Sequence, residues 1–460
     1  MAQVVREPDD TRYLAESPVK AEWSAALQIP NVPPFPPKPA VASPRTDGDS
    51  TAEAATPTKR PAPSTPRLEG LAGPSAADAE ADNAALAQLK AGTPIDTVPQ
   101  SALRAWFDTA ARCADGTWYG RNNLDGTLAW RESEVVEGYL EAYQSTKDTK
   151  YLDKVTRHLD MYLQLRDSSV GWKDYRGLSL PAWQSTKYDL NQKPGIWAVH
   201  TGILAHGLAK FSALVKQDGL TAYDGKAATY LQAAKSALAV HDDEFVTNGS
   251  AGYYVARRGF PIPEDGVNLP SNMNLAMAAA HLAVYQASRD PAQLDRATRI
   301  ARTFQSTLTP TSAGGYTWHY TFGKGFSGWG AGTSTHTSSS LGNRTAEDYS
   351  HGALDLQAVR ALHDAGVVFT DADMQRFGNQ LEHVMLKTDV FPGYVDGTGT
   401  AALQGKVVSW AGLSKWSPSE AQRAFDQLMQ VPLTPNAVPA WAVRGMALLM
   451  LNRPASTDQT

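Results

Sequence analysis

One run of the sequence, RTAEDYSHGALD, brings together residue types that bind anions and move protons. If the run is helical, at about 100° per residue, five of its polar side chains share an arc of about 100°: Arg344, Glu347, Asp348, His351 and Asp355. The same face continues with Ala358 and Leu362, which are apolar. A solvated helix face would stay polar to its end. The pattern therefore predicts a helix whose N-terminus lines a cavity while its later turns are packed.

Three other segments change in the same way from polar to apolar along one helical face. Their polar starts are Glu132, His200 and the pair Asn272 and Asn274. Four converging helix starts would surround one mouth with polar side chains, and helix N-termini also favour anions. The side chains expected there are Glu132, His200, Asn272, Asn274, Arg344, Glu347 and His351.

Each of these residues also has a purely structural interpretation. Glu132 and Glu347 lie in predicted first turns, where acids complement the helix dipole. Asn272 suits an N-cap, and Arg344 can form an ion pair with a neighbouring acid. His351 lies inside the densest polar cluster, which favours a functional role.

The elements that would position these residues are paired helices. The first members begin near Glu132, Gly195, Asn272, Thr345 and, more weakly, Pro439. The second members open on a turn or an acidic start and then place apolar residues at helical steps: TKDTKYLDKVTRHLDMYLQL, SRDPAQLDRATRIARTFQSTL and FTDADMQRFGNQLEHVML. One pair cannot bury its apolar stripe alone, so the pairs must stack. The sequence predicts an all-α fold, an (α/α)n toroid of about five to seven helical hairpins; a TPR-like scaffold would need a period of about 34 residues.

Long loops between the pairs carry aromatic side chains, as in GGYTWHYTFGKGFSGWG. Planar rings with polar edges suit the apolar face of a sugar, and arginine pairs with carboxylates. The substrate-binding candidates are Asn272, Trp197, Tyr188, Tyr254, Arg258, Tyr316, Trp318, His319 and Glu132. Alternatively, the glycine-rich stretch forms a small hairpin whose rings cap the toroid. No HExxH motif or phosphate loop occurs, so neither a metal nor another cofactor is predicted.

Composition excludes several function classes. The 460 residues contain 42 Lys+Arg and 47 Asp+Glu, whereas nucleic-acid binders usually show a basic excess. No window predicts a membrane span, and MAQVVREPDD lacks the pattern of a signal peptide. Cys113 alone cannot form an intramolecular disulfide. We therefore expect neither nucleic acid nor a membrane as a partner.

The N-terminal region differs from the rest in composition. Fourteen of the 29 prolines lie between Pro8 and Pro74, so residues 36–82 are predicted as a Pro/Ala-rich disordered linker. Residues 1–35 contain Tyr13 and Trp23 and are predicted as an anchoring peptide, with an unattached tail as the alternative. Residues 83–460 form the expected toroid domain. Such a peptide would suit an enzyme carried on a particle, for example a phage.

Four segments together resemble a known group of enzymes: RTAEDYSHGALD, LPSNMNLAMA, GIWAVHTG and SEVVEGYLEAYQSTKDTKYLDKV. They are similar to helical-toroid polysaccharide lyases that act on uronic-acid polymers such as alginate or glucuronan. Glucuronyl epimerase-like enzymes and six-hairpin glycosidases are related to these lyases. The resemblance implies that Asn274 and Arg344 neutralise the uronate carboxylate. It also implies that His200, His351 or Tyr349 serves as base and acid, with Tyr254 or Tyr316 as alternatives to Tyr349.

The residue types fit β-elimination, in which a base removes the proton next to a carboxylate and an acid protonates the leaving oxygen. The developing enolate needs preorganised donors. One alternative is an inverting glycoside hydrolase, in which two carboxyl groups about 6.5–9.5 Å apart would come from Glu132 with Asp348 or Glu347. Another is a non-catalytic carbohydrate-binding toroid. The expected substrate is an acidic polysaccharide.

Overall fold

A computed structural model describes residues 84–114, 118–401, 405 and 407–452 of the chain. The predicted anchoring peptide (1–35) and linker (36–82) lie outside the described residues. Both therefore stay predictions.

Helices of all types make up most of the described part of the chain, and thirteen of those with defined bounds are α-helices. They are α1 (Gln100–Ala114), α2 (Ser133–Thr146), α3 (Lys150–Gln164), α4 (Asp167–Val170), α5 (Ala198–Gln217), α6 (Asp224–Leu238), α7 (Ser271–Ser288), α8 (Pro291–Thr307), α9 (Gly323–Ser327), α10 (Tyr349–Asp364), α11 (Asp371–Gln380), α12 (Pro418–Leu428) and α13 (Ala440–Asn452). The 3-10 turns are Ile95–Thr97, Leu190–Gln192, Thr221–Tyr223, Ala239–Glu244 and Val408–Leu413. π-helical turns occur at Leu128–Glu132 and Leu381–Met385.

Six short strands form three antiparallel pairs in the loops. β1 (Gln184–Ser185) pairs with β2 (Gly195–Ile196), β3 (Phe245–Asn248) with β4 (Ala251–Tyr254), and β5 (Thr309–Pro310) with β6 (Tyr316–Thr317). In these three pairs, residue Gln184 lies opposite Ile196, Phe245 opposite Tyr254, and Thr309 opposite Thr317. Each pair joins residues of the loop segments between helices.

The inner helices form a closed ring. Helix α2 packs on α5, α5 on α7, α7 on α10, α10 on the 3-10 turn Val408–Leu413, this turn on α13, and α13 back on α2. The second helices α3, α6, α8, α11 and α12 pack outside their partners, and α1 packs on α13 from the opposite end of the chain. These six pairs confirm the predicted all-α toroid of helical hairpins.

Close approach of the inner helices depends on small residues. A Cβ atom on Gly202 of α5 would lie 2.7 Å from the backbone carbon of Ala276 in α7, so a larger residue would push these helices apart. Helix α5 is also long and apolar enough to cross a membrane by length and composition, with a mean hydropathy of 1.2. However, 78% of this window is buried inside the protein, as in the core helix of a ring.

The prediction of one continuous helix from Arg344 was wrong. Helix α10 begins only at Tyr349, because Asp348 is its N-cap and accepts hydrogen bonds from the backbone N–H groups of Ser350 and His351. The residues before it are extended. The N–H of Glu347 donates to the carbonyl of Trp318 (3.0 Å), so Arg344 does not share a helical face with His351.

Candidate active site

Two histidines flank one tryptophan where inner helices begin. His200 is the third residue of α5, and His351 is the third residue of α10. Trp130 comes from the π-helical turn before α2, and its ring lies 5.4 Å from that of His200 and 6.2 Å from that of His351, centroid to centroid. Three helix starts that are distant in sequence therefore converge on one mouth.

The imidazole of His351 forms a dyad with a carboxylate. Its Nδ1 is hydrogen-bonded to Oδ2 of Asp348, whose other oxygen accepts from the Ser350 hydroxyl at 2.6 Å. Burial acts to raise the pKa of Asp348, but hydrogen bonds from His351 and Ser350 outweigh it and lower the pKa to about 2. Asp348 is therefore ionised at neutral pH and holds Nδ1 of His351 as a donor.

Tyr320 lies on the other side of His351, with ring centroids 5.5 Å apart. Its backbone is held in place on two sides. The N–H of Tyr320 donates to the carbonyl of Thr345, and its carbonyl accepts from the N–H of Ser271, the first residue of α7. Burial and the nearby carboxylate of Glu347 raise its pKa, so the phenol is protonated at neutral pH.

Two carboxyl groups lie buried below the first turn of α10. Glu347 and Asp355 are both 0% exposed, and Glu347 Oε2 and Asp355 Oδ1 lack a hydrogen-bond partner within the described residues. The indole N–H of Trp318 donates to the other oxygen of Asp355 (2.8 Å). Burial, reinforced by the neighbouring Asp355, raises the pKa of Glu347 well above its usual range. A buried carboxylate beside another carboxylate is costly to ionise, so the surroundings of Glu347 favour its protonated form.

His200 lies in an aromatic enclosure. Its ring centroid is 6.0 Å from that of Tyr188 and 6.4 Å from that of Trp197, and the side chain is 1% exposed. Burial lowers its pKa to about 3, so the imidazole is neutral at neutral pH. Its Nδ1 lies 3.1 Å from the amide nitrogen of Asn123.

One cluster in the mouth has the spacing of a metal site. Glu347, Asp348 and His351 each offer one ligand atom, and these atoms lie within 4.8 Å of one another. Carboxylate and imidazole are common metal ligands. The same Asp348 and His351 side chains are hydrogen-bonded to each other, and a bound ion would have to replace that contact. The predicted absence of a metal stays a prediction.

Several predicted site residues are instead parts of the core. The amide of Asn274 accepts from the N–H of Tyr254 and donates to the carbonyls of Leu269 and Pro270, so its polar atoms are occupied. Tyr349 is 8% exposed and packs on Phe391. Local backbone groups therefore occupy the Asn274 amide, and apolar neighbours enclose the Tyr349 ring.

The two glutamates considered for a hydrolase are also enclosed. Glu132 is 0% exposed and accepts from the N–H groups of Tyr119 and Gly120, and its other oxygen is paired with His158. This carboxylate satisfies backbone donors and does not line the mouth. Glu347 is 0% exposed, and burial raises its pKa.

The remaining aromatic candidates are dispersed. The Tyr254 hydroxyl is bonded to His281 (2.7 Å), and Tyr316 donates to Asp373 of α11 (3.0 Å). Trp318 is 1% exposed and packs on Phe304 and Phe377, and the ring centroids of His319 and Phe326 lie 4.9 Å apart. Of the predicted aromatic residues, the mouth holds Tyr188 and Trp197.

Two polar candidates lie in contrasting environments. Asn272, the second residue of α7, is 1% exposed, and neither of its polar side-chain atoms has a partner in the described part of the chain. Arg258 is exposed. The two candidates, both polar in the sequence, therefore differ in burial: Asn272 is enclosed and Arg258 is exposed.

Arg344→Ala is expected to have a modest effect, at most about tenfold in kcat/KM. Arg344 is exposed, and its guanidinium lies 5.7 Å from the ring centroid of Phe326. An exposed charge acts on a substrate through screened attraction, so the loss should shrink at high salt. Steady-state kinetics at low and high ionic strength measure this effect. A loss of about 10² or more in kcat, independent of salt, would show that Arg344 contacts the reacting group.

Sequence reasoning missed Trp130, Tyr320 and Asn123. Trp130 stands two residues before the candidate Glu132, and Tyr320 belongs to the aromatic run that contains the candidates Tyr316, Trp318 and His319. A tryptophan and a tyrosine in turns carry no helical periodicity, so the pattern that identified His200 and His351 could not find them.

No protein-family model and no curated protein matches this chain. Among solved structures, it is similar to an alpha-1,6-mannanase of family GH76 from Salegentibacter sp., with 12% identity, TM-score 0.45, and coverage of 75% of this chain and 98% of the other. A cellobiose 2-epimerase from Spirochaeta thermophila gives 13% identity, TM-score 0.45, and coverage of 77% and 98%. A D-mannose isomerase gives 12% identity and a TM-score of 0.44, with coverage of 72% of this chain and 84% of the other. The chemistry of the site is inferred from its own side chains.

Proposed function

We propose that this protein is a polysaccharide lyase that cleaves a uronic-acid polymer by β-elimination. The observation that carries the proposal is the row of Tyr320, His351 and Asp348, in which a phenol and a carboxylate-bound imidazole lie side by side beside Trp130. Histidine suits the removal of a proton next to a carboxylate, and tyrosine suits protonation of the leaving oxygen.

His351 is the proposed base. Because Asp348 accepts from Nδ1, the nitrogen that takes up a proton is Nε2. The carboxylate also stabilises the imidazolium that forms, as an acid partner does for the histidine of a catalytic triad. His351 is 34% exposed, so a substrate in the mouth can reach it.

Tyr320 is the proposed acid. Among the described residues, no hydrogen bond occupies its hydroxyl, and its raised pKa keeps the proton on the phenol until a basic leaving oxygen develops. The backbone contacts of Tyr320 to Ser271 and Thr345 fix its position relative to His351. Preorganised donors of this kind avoid reorganisation during the reaction.

The half-buried rings of Trp130, Tyr188 and Trp197 provide the proposed surface for sugar rings. The indole N–H of Trp197 donates to Asp189 at 2.8 Å, which fixes the orientation of this ring. Aromatic faces pack against the apolar face of a sugar while its hydroxyl groups remain available for hydrogen bonds.

Hydrolysis with inversion needs a second carboxyl group across the sugar. Glu132 is committed to Tyr119, Gly120 and His158, and Glu347 is fully buried. The remaining carboxylate of that set, Asp348, is bonded to His351. These contacts argue against two free carboxyl groups on opposite sides of one sugar, as inverting hydrolysis requires, and so favour elimination.

The product distinguishes the two reactions. We expect incubation with alginate, glucuronan, hyaluronan or a bacterial capsule to yield an unsaturated uronate with its ultraviolet absorbance from at least one polymer. New reducing ends without this absorbance would establish hydrolysis instead. Deuterium from D2O incorporated with inversion at the carbon next to the carboxylate of an intact polymer, without unsaturated product, would indicate epimerisation and would also contradict the proposal.

Tyr320→Phe is expected to lower kcat by roughly 10² to 10⁴, because the leaving oxygen loses its proton donor. The fold should persist, since only the hydroxyl is removed and it has no partner in the described part of the protein. Tyr316→Phe is the matched control, because its hydroxyl donates to Asp373 outside the mouth. Equal activity of both variants, measured on the same polymer, would remove Tyr320 from the mechanism.

A further inference from the structure

We infer that Asn123 fixes His200 as a neutral imidazole with its proton on Nε2, and that this N–H donates to the substrate carboxylate as negative charge develops. Asn123 is then a positioning residue for His200. The role in catalysis rests on the proposed elimination, whereas the position of the proton does not depend on it.

The orientation of the Asn123 amide follows from its three contacts. Its Oδ1 accepts from the backbone N–H of Ala129 (3.2 Å). Its Nδ2 faces the carbonyl of Trp183 (3.3 Å) and Nδ1 of His200 (3.1 Å). If the amide were reversed, Oδ1 would face the carbonyl oxygen of Trp183 and Nδ2 would face the N–H of Ala129. Both backbone contacts therefore select the orientation described.

The amide nitrogen of Asn123 can only donate a hydrogen bond, so Nδ1 of His200 must be the acceptor. A neutral imidazole that accepts at Nδ1 carries its proton on Nε2. No hydrogen bond to Nε2 from the described residues competes for this proton. Nε2 is therefore the polar atom of the ring that remains for a ligand.

The surroundings also oppose a charge on this ring. His200 is enclosed by the aromatic rings of Trp130, Tyr188 and Trp197. The titratable groups around it are the phenol of Tyr188, the carboxylate of Asp125 before α2, and His351 on the other side of Trp130. Burial lowers the pKa of His200 to about 3, against a smaller opposite effect of Asp125. His200 thus stays a neutral donor around neutral pH.

A neutral donor is useful in elimination because negative charge accumulates on the substrate carboxylate when the neighbouring proton leaves. A preorganised N–H aimed at that charge lowers the barrier without a change in protonation. Neutral histidine acts in this way as an electrophile in other enzymes. Of the two residues that the resemblance assigns to neutralisation, Asn274 is hydrogen-bonded to backbone groups and Arg344 is exposed.

Nitrogen NMR of the full chain tests the position of the proton directly. With 15N-labelled histidine, we expect one ring, assigned by its disappearance in His200→Gln, to show a protonated Nε2 and an unprotonated Nδ1 that do not change around neutral pH. In Asn123→Asp, the carboxylate accepts instead of donating, so the proton should move to Nδ1. A wild-type ring protonated at Nδ1, or titrating near neutral pH, would overturn the inference.

Kinetics test the role of this proton. His200→Leu, which has no donor, should lower kcat by roughly 10² to 10³, the range for loss of one such donor. His200→Gln keeps an N–H at a similar reach and should recover part of the loss, with the pH profile of the wild type. The Asn123→Asp substitution should lower kcat by a larger factor than that by which it raises KM. Equal losses in His200→Leu and His200→Gln would contradict a donor role.

His281→Gln is the matched control for packing effects. His281 is also 1% exposed, but its nitrogens are bonded to Tyr254 and Gln293, outside the mouth. This variant should lose thermal stability and keep turnover per folded molecule. If no polymer yields an unsaturated product while the NMR result holds, the proposed elimination fails and the assignment of the His200 proton stands.

Discussion

His351→Ala is expected to lower turnover by roughly 10² or more on the polymer that the wild type cleaves, while the fold persists. The variant removes the group that accepts the substrate proton. The His351 side chain is 34% exposed and is hydrogen-bonded to Asp348. When the imidazole is removed, Asp348 can still accept from the backbone N–H groups of residues 350 and 351, so the cap of α10 is retained. Little apolar burial is lost, so thermal stability should change by only a few degrees. Initial rates and thermal unfolding are measured on the same sample.

His363→Ala provides the control within the same helix. His363 lies in the last turn of α10, where its nitrogens contact Asp364 and Asp371 at 3.0 Å each. Full activity is expected. If turnover of His351→Ala instead follows the folded fraction, the dyad is a structural contact and the proposed base is wrong.

Arg444→Met should cause the largest loss of stability. Arg444 of α13 is 5% exposed and pairs with Glu134 (3.2 Å) and Glu141 (3.5 Å) of α2, at the place where the ring closes. Methionine fills a similar volume but removes the cation from Glu134, whereas Glu141 keeps its pairs with Arg360 (3.4 Å) and Lys210 (3.7 Å). Breaking a buried ion pair in this way typically costs about 3–5 kcal/mol of unfolding free energy.

Urea denaturation at several pH values measures this cost. Burial raises the pKa of Glu134 even in the wild type, and loss of the nearby cation should raise it further. A raised carboxyl pKa in the folded state makes the protein least stable above that pKa, so the loss should be largest at high pH and shrink in acid. Lys226→Met is the control, because its pair with Asp160 is exposed and should contribute less than about 1 kcal/mol. Equal losses in both variants would show that the buried network does not stabilise ring closure.

The hairpin repeat could be predicted because its signals are local. Helix α8 starts after Asp290, whose side chain accepts from the N–H of Ala292, and α11 starts with a capping box between Thr370 and Asp373. These contacts involve residues two or three positions apart. The apolar spacing that follows each cap is equally local, and it predicted the outer helices without knowledge of their neighbours.

The same local reasoning failed just before α10. An uninterrupted helical pattern from Arg344 suggested one face, but Asp348 caps the helix and the preceding segment pairs with Trp318 and its neighbours. A backbone hydrogen bond to a residue far away in sequence decided the conformation. Periodicity within a single segment contains no information about such a partner.

By itself, the sequence determined an all-α chain of stacked hairpins and marked His200 and His351 at the starts of inner helices, since helix formation and capping depend on residues a few positions apart. Only the tertiary structure decided which polar groups have partners. Asn274 is saturated by Tyr254 N–H and nearby carbonyls, whereas Asn272, two residues earlier, is buried with no partner in the described part of the chain. Tyr320 was likewise placed beside His351 by contacts with distant segments. The physical reason is that hydrogen-bond satisfaction and burial depend on neighbours in space, which loops and ring closure supply.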